Sequence, residues 1–180
     1  MKIVEIDKTI YRQRLNRVII GFIVVLTLLS LVFGTALIAT FSEPITEAIV
    51  NQGSEDTSNF KYNFSGVVLA LLSCAAILHY LKTTPFFYEI YYVWQMKQIH
   101  NVIYRKLKKI KKAAFQDHNQ KAMIILNFYY TSLHQIYVLD DNTLTLSSLM
   151  LEQQQLNELM LASEQSIDIE QFNKKLIAEF

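Results

Sequence analysis

Two stretches without a charged residue limit what this chain can become more than any other feature. From Val18 to Ser42, VIIGFIVVLTLLSLVFGTALIATFS, 25 residues pass between Arg17 and Glu43 with no Asp, Glu, Lys or Arg. From Tyr62 to Leu81, YNFSGVVLALLSCAAILHYL, another 20 do so between Lys61 and Lys82. A helix needs about 20 apolar residues to cross about 30 Å of hydrocarbon, so each stretch can span a bilayer. A cleavable leader fits the first one poorly, because its apolar part would be about 7 to 15 residues and would close with a small-x-small site. The expected class is therefore an all-α integral membrane protein with a two-helix transmembrane hairpin.

Orientation follows from the Lys and Arg of the short flanks. Residues 1–17 carry Lys2, Lys8, Arg12, Arg14 and Arg17, whereas 43–61 carries four acids (Glu43, Glu47, Glu55, Asp56) and Lys61 alone. Residues 82–115 then hold eight basic residues against Glu89. The expected layout is a basic, cytoplasmic N-terminal helix (1–17), a first span (18–42), an external loop (43–61), a second span (62–81) and a cytoplasmic helical domain (82–180). Both termini face the cytoplasm in this arrangement.

Helices in lipid associate through close packing at small residues. Gly66, Ala70 and Cys74 recur every four residues in the second span, and Ser30 with Gly34 in the first. Counting inward from Phe41 and Tyr62 at about 1.5 Å per residue puts Gly34 level with Ala70 and Ser30 level with Cys74. Those faces are expected to meet. Neither span holds an Asp, Glu, Lys or Arg, so no proton relay, ion path or gating charge is marked.

Beyond Gly66 there is no glycine, and beyond Pro44 the only proline is Pro85. Long helices meet few obstacles in such a sequence, while turns that need positive φ lack material. Thr84-Pro85 reads as an N-cap with Pro at the first helical position. The helix it would open carries Tyr92, Met96, Ile99, Ile103, Leu107, Ile110 and Ala114 at steps of three and four, an apolar stripe. Its other face carries Lys97, Arg105, Lys106, Lys108, Lys109 and Lys112, and the aromatics from Phe86 to Trp94 suit an interfacial belt. A second helix is expected from about Lys121 to Leu139, with Ala122, Leu126, Tyr129, Leu133 and Ile136 on one face. Asp140-Asp141-Asn142-Thr143 ends it, and a third runs from Leu146 to Ala162. A fourth, short helix is expected from Asp168, capped with Gln171 and stapled by Ile167 and Phe172. Asp7 is the corresponding cap at the N-terminus, opening a helix that continues into the first span. The apolar stripes near Ile103 and Leu126 are expected to finish their burial against another copy or a partner.

Three runs, Tyr11-Arg12-Gln13-Arg14-Leu15-Asn16-Arg17, Tyr91-Tyr92-Val93-Trp94-Gln95 and Leu139-Asp140-Asp141-Asn142-Thr143-Leu144-Thr145, resemble those of a bacterial family of unknown function. The resemblance covers most of the chain and implies a gammaproteobacterial inner-membrane setting. It implies no active site.

Catalytic and cofactor chemistry finds little to work with. A phosphate-cradling loop needs glycines, absent after Gly66. His79, His100, His118 and His134 show no metal-ligand spacing with the single Cys74 or with acids. The Asp140-Asp141-Asn142 run lacks the glycine and acid spacing of a calcium loop, and there is no Gly-x-Ser-x-Gly elbow. A non-enzyme without cofactor or metal is expected.

What remains is charge. The net charge of +1 and mean hydropathy of +0.20 hide blocks of +3 (1–17), −3 (18–81), +7 (82–115) and −6 (116–180). Six of the eight residues from Arg105 to Lys112 are basic. Pairing with the acidic C-terminal region, or plain solvation, is the first explanation. Contact of Trp94, Lys97, Arg105, Lys106, Lys108, Lys109 and Lys112 with anionic lipid headgroups is the second. Nucleic acid ranks last, since no reading motif accompanies the patch. The function expected is a membrane-anchored interaction or scaffold module, partnered by the phospholipid bilayer and by itself or another inner-membrane protein. The alternative is a lipid-responsive sensor using the aromatic and basic helix 85–115.

Overall fold

The computed structural model describes residues 2–42, 55–163 and 167–180, with the backbone alone for 55–58. Among the described residues every regular element is a helix. The chain divides into two units, a hairpin (residues 13–88) and a bundle (residues 1–12 with 89–180).

Helix α1 runs unbroken from Lys8 to Phe41, 34 residues. Asp7 caps it, its carboxylate accepting from the Ile10 amide at 2.9 Å. Helix α2 spans Glu55–Leu81. It therefore begins within the segment expected as an external loop, where EDTSNFK contains neither Gly nor Pro to break a helix. The rest of that loop, residues 43–54, lies outside the described residues. Both helices are long and apolar enough to cross a membrane, over Lys8–Phe41 and Asn59–Leu81. Their hydroxyls are satisfied within the helix: Thr27, Ser30, Thr35 and Thr40 donate to the carbonyls of Ile23, Leu26, Leu31 and Ala36, and Ser65 and Ser73 to those of Lys61 and Leu69. That back-bonding leaves no side-chain hydroxyl of these six in search of water.

A 3₁₀ turn at Pro85–Phe87 follows α2. Thr84 is extended there, as an N-cap should be, but its hydroxyl bonds back to the Leu81 carbonyl at 2.8 Å and so closes α2 instead of capping the next helix. Arg14 holds the turn from α1, donating to the Pro85 carbonyl at 3.0 Å with its guanidinium over the Phe86 ring at 5.6 Å.

The bundle contains α3 (Tyr88–Phe115), α4 (Gln120–Leu139) and α5 (Leu146–Ala162). Helix α4 is its axis. Ala122 to Leu126, Phe128, Tyr129, Tyr130, Ser132, Ile136 and Leu139 are all buried, so the helix is enclosed on nearly every side over its first three turns, not along a single stripe. Asn119 caps it, accepting from the Ala122 amide at 3.1 Å. Helix α3 buries Tyr92, Met96, Ile99, Ile103, Ile110 and Ala114 of its expected stripe, adding Val93 and His100. Leu107 and, on α4, Leu133 are half-buried. Helix α5 buries only Leu149 and Leu156.

Ile103 and Leu126 are fully enclosed within the bundle, contrary to the expectation that the stripes around them await a partner. The reason is that α3, α5 and the C-terminal turns already surround α4. The expected fourth helix is also different. Asp168 and Gln171 do form the capping box, but on a single 3₁₀ turn, Ile169–Gln171, followed by a second at Lys174–Glu179. Phe172 leaves the turn with extended backbone to stack on Phe128 at 3.7 Å, and that docking ends the helix before an α turn can form.

Candidate functional site

Three constellations were singled out by the sequence or emerge from the fold. The first is the small-residue face of the hairpin. Gly34, Gly66, Ala70 and Cys74 are buried, and Ser30 is half-buried. Gly34 and Gly66 bring the two backbones close together: a Cβ at position 66 would stand 2.6 Å from the Gly34 nitrogen and 2.8 Å from its Cα. The register is thus one turn away from the Gly34–Ala70 pairing counted from Phe41 and Tyr62. The count treated Tyr62 as level with Phe41, but side chains on a helix lean toward its N-terminus. The Tyr62 hydroxyl reaches the Phe41 carbonyl at 2.7 Å while its own Cα lies deeper along the hairpin. From Gly34–Gly66, antiparallel helices bring Ser30 level with Ala70 and Leu26 level with Cys74.

The second is the basic face of α3, and the fold divides it. Lys97 is paired with Asp140 at 2.6 Å, Lys106 donates to the Ile177 carbonyl at 2.9 Å, and Lys111 pairs with Glu152 at 2.8 Å while lying over the Tyr130 ring. These three tie α3 to the acidic C-terminal region. Arg105, Lys108, Lys109 and Lys112 are exposed, with Arg105 donating to the Asn101 carbonyl of its own helix. Lys108, Lys109, Lys111 and Lys112, with Phe115 and Gln116, line an open groove. Trp94 is 53% exposed and stacks on Tyr91 at 5.7 Å.

The third was missed by sequence reasoning. At the end of α4, Asp140 receives Lys97 and the Tyr11 hydroxyl (3.4 Å), while Asp141 pairs with Lys8 and with Arg12 at 3.1 Å. Asp141 sits in the left-handed region at φ 59°, which turns its carboxylate back toward α1. The hydrogen bond from Lys8 lowers its pKa below the ordinary carboxylate value, with Arg12 adding to the effect. The N-terminal segment continues the contact: the Val4 amide donates to the Tyr92 hydroxyl at 2.7 Å, and Gln135 donates to the Val4 carbonyl at 2.6 Å. Tyr11 and Arg12, Tyr92, and Asp140 and Asp141, drawn from the three runs that carry the family resemblance, thus all take part in this contact network. The acids at 140 and 141 looked like helix punctuation, and nothing local in the sequence names their distant partners.

His100 lies inside the bundle, 7% exposed, and stacked on Tyr129 at 4.8 Å. Ser132 donates to the Phe128 carbonyl at 2.6 Å, so its oxygen accepts from His100 Nε2 at 2.7 Å and the ring is the Nε2–H tautomer. Nδ1 is buried and has no hydrogen-bond partner among the described residues. Burial lowers the His100 pKa from 6.5 to about 4, because an imidazolium here would lose the hydration that stabilises its charge. This pair is too enclosed to reach a substrate and serves the core. No group of three His, Cys, Asp or Glu side chains that could hold a metal occurs among the described residues.

These observations define an all-helical protein that joins an apolar two-helix hairpin to a separate helical bundle. The chain belongs to the family described as protein of unknown function (DUF3087), whose pattern matches residues 1–177. No curated protein and no solved structure matches it.

Proposed function

We propose that this chain is a bacterial inner-membrane protein, crossing twice with both termini in the cytoplasm, whose bundle is a non-enzymatic interaction module. The observation that carries the membrane part is the exposure of the hairpin. Only 6% of the most apolar stretch of α1 and 17% of that of α2 are buried within the protein. Ile20, Ile23, Leu28, Leu31, Val32 and Leu72 are all more than half exposed. Helices that are apolar all round belong in a large core or in lipid, and the described residues form no such core around them. The flanking charges supply the direction of insertion.

The interaction role rests on what the bundle leaves uncovered. Leu144 is 92% exposed and Leu161 82%, with Met150 and Leu151 also exposed. This moves the proposed contact for a second copy or another membrane protein from the α3 and α4 stripes to α5 and Leu144 just before it. A second reading has its own support, because exposed Arg105, Lys108, Lys109 and Lys112 remain free to meet anionic headgroups. One experiment separates the two: mass measurement of the full chain in mild detergent, with hydrogen exchange on α3. A particle of several copies or with a stoichiometric partner supports the module. A monomer whose α3 protection rises only with anionic lipid supports the sensor.

A further inference from the structure

A cavity of about 210 Å³ opens between α1 and α2, lined by Val18, Gly21, Phe22 and Val25 on one side and by Cys74, Ile77, Leu78 and Leu81 on the other, with Phe87 at its end. Gly21 makes the space: a Cβ there would meet nothing within 4 Å, whereas at Gly66 the helices touch. The hairpin is therefore closed near Gly34 and open near Gly21. Helical periodicity continues the lining into cations. Arg17 lies one turn before Gly21 on α1, and Lys82, whose ammonium lies 3.3 Å from His79 Nδ1, one turn after Leu78, just past the end of α2. The Cα–Cβ bonds of α1 tilt toward its N-terminus, so Arg17, which is exposed, leans away from the apolar segment. Arg14, a further turn out, is tied to the Pro85 carbonyl and the Phe86 ring and so holds the turn that carries Phe87.

An apolar slot with basic residues at one rim matches a molecule with an acyl tail and an anionic head. We infer that the hairpin holds one anionic phospholipid here, an acyl chain in the cavity beside Gly21 and the phosphate at Arg17 and Lys82. The inference rests on the membrane reading above. A zwitterionic lipid could fill the slot equally well, but its head would gain less from two cations that a low-dielectric boundary leaves poorly screened.

The test is native mass spectrometry of the full chain in neutral detergent, with equal amounts of phosphatidylglycerol and phosphatidylcholine of matched chains. Phosphatidylglycerol should be retained about thirtyfold better, the preference expected from two basic contacts of about 1 kcal/mol each. Replacing both cations, Arg17→Gln with Lys82→Gln, should bring the ratio near one. Gly21→Leu, which fills the slot, should lower retention of both lipids; if that variant fails to fold, the Gln pair decides alone. Excess inorganic phosphate should leave the lipid in place, and displacement by it would mean an anion site without a lipid. Equal retention of the two lipids, or a ratio unchanged in the Gln pair, overturns the inference. Alkaline extraction of membranes keeps the two ideas apart. A chain released from the membrane loses both readings, whereas one that stays without preferring phosphatidylglycerol loses only this one.

Discussion

The backbone of Gly66 lies directly on that of Gly34, so that a methyl group at 66 would stand 2.6 Å from the Gly34 nitrogen. Backbone cannot step aside as a side chain can, so Gly66→Ala must push the helices apart. Gly34→Ala meets the Asn63 side-chain oxygen at 3.1 Å, which can rotate away, and Gly21→Ala meets nothing. Overpacking typically costs about 1–3 kcal/mol. Thermal unfolding in detergent should therefore rank Gly66→Ala well below Gly34→Ala, with Gly21→Ala at the wild-type midpoint. Equal midpoints for the three would refute this packing.

The same contact sets the register. In a Cys74→Ser background, Ser30→Cys with Ala70→Cys should form a disulfide on mild oxidation. Ser30→Cys with the native Cys74 should not, since Cys74 is level with Leu26. Non-reducing electrophoresis reads the outcome, and efficient linkage of 30 to 74 would restore the register counted from the span ends.

His100 should make the bundle sensitive to mild acid. Its folded pKa of about 4 lies below the unfolded value of 6.5, so between the two the unfolded chain binds more protons. The stability it contributes is complete above pH 6.5 and drains away as the pH falls toward 4. At 1.36 kcal/mol per unit the whole span amounts to about 3 kcal/mol. His100→Gln, which keeps a donor for Ser132 and cannot charge, should flatten the curve. Denaturant midpoints at pH 7 and pH 5 that fall equally in both proteins would exclude His100 as the cause.

Asp141→Asn should release the start of α1 from the bundle. Exposed ion pairs contribute little, so the loss at pH 7 should be small. The Asp141 pKa is depressed, so its contribution is present above the unfolded carboxylate pKa and lost as the pH falls through the lower folded value. Wild type and variant should then converge in strong acid. Hydrogen exchange at Val4 to Arg12 gives the local reading; unchanged protection at pH 7 would show that Lys8 and Arg12 do not anchor this segment through Asp141.

Much of the helical layout was legible because it rests on local signals. Charge-free runs mark α1 and α2, and the lack of Gly and Pro after Pro85 leaves α3 to α5 uninterrupted. The enclosure of α4 goes beyond the single face expected of it, although MIILN followed by FYY has too few polar gaps for a helix with a wide exposed side. What could not be read depends on distance or on side-chain reach. Tyr62 displaced the hairpin register by the length of its ring, and Phe172 traded an α turn for a stack on a residue 44 positions away. Asp140 and Asp141 were seen as a helix stop because Lys97, Lys8 and Arg12 meet them only after the chain has folded back.

The central claim is that the hairpin crosses a membrane with both chain ends on the cytoplasmic side, and labelling with a membrane-impermeant maleimide in intact bacterial cells tests it most directly. In a Cys74→Ser background, with the outer membrane permeabilised, Asn51→Cys should be labelled and Lys175→Cys should be labelled only after lysis. Protection of Asn51→Cys in intact cells, or labelling of Lys175→Cys before lysis, would contradict the account.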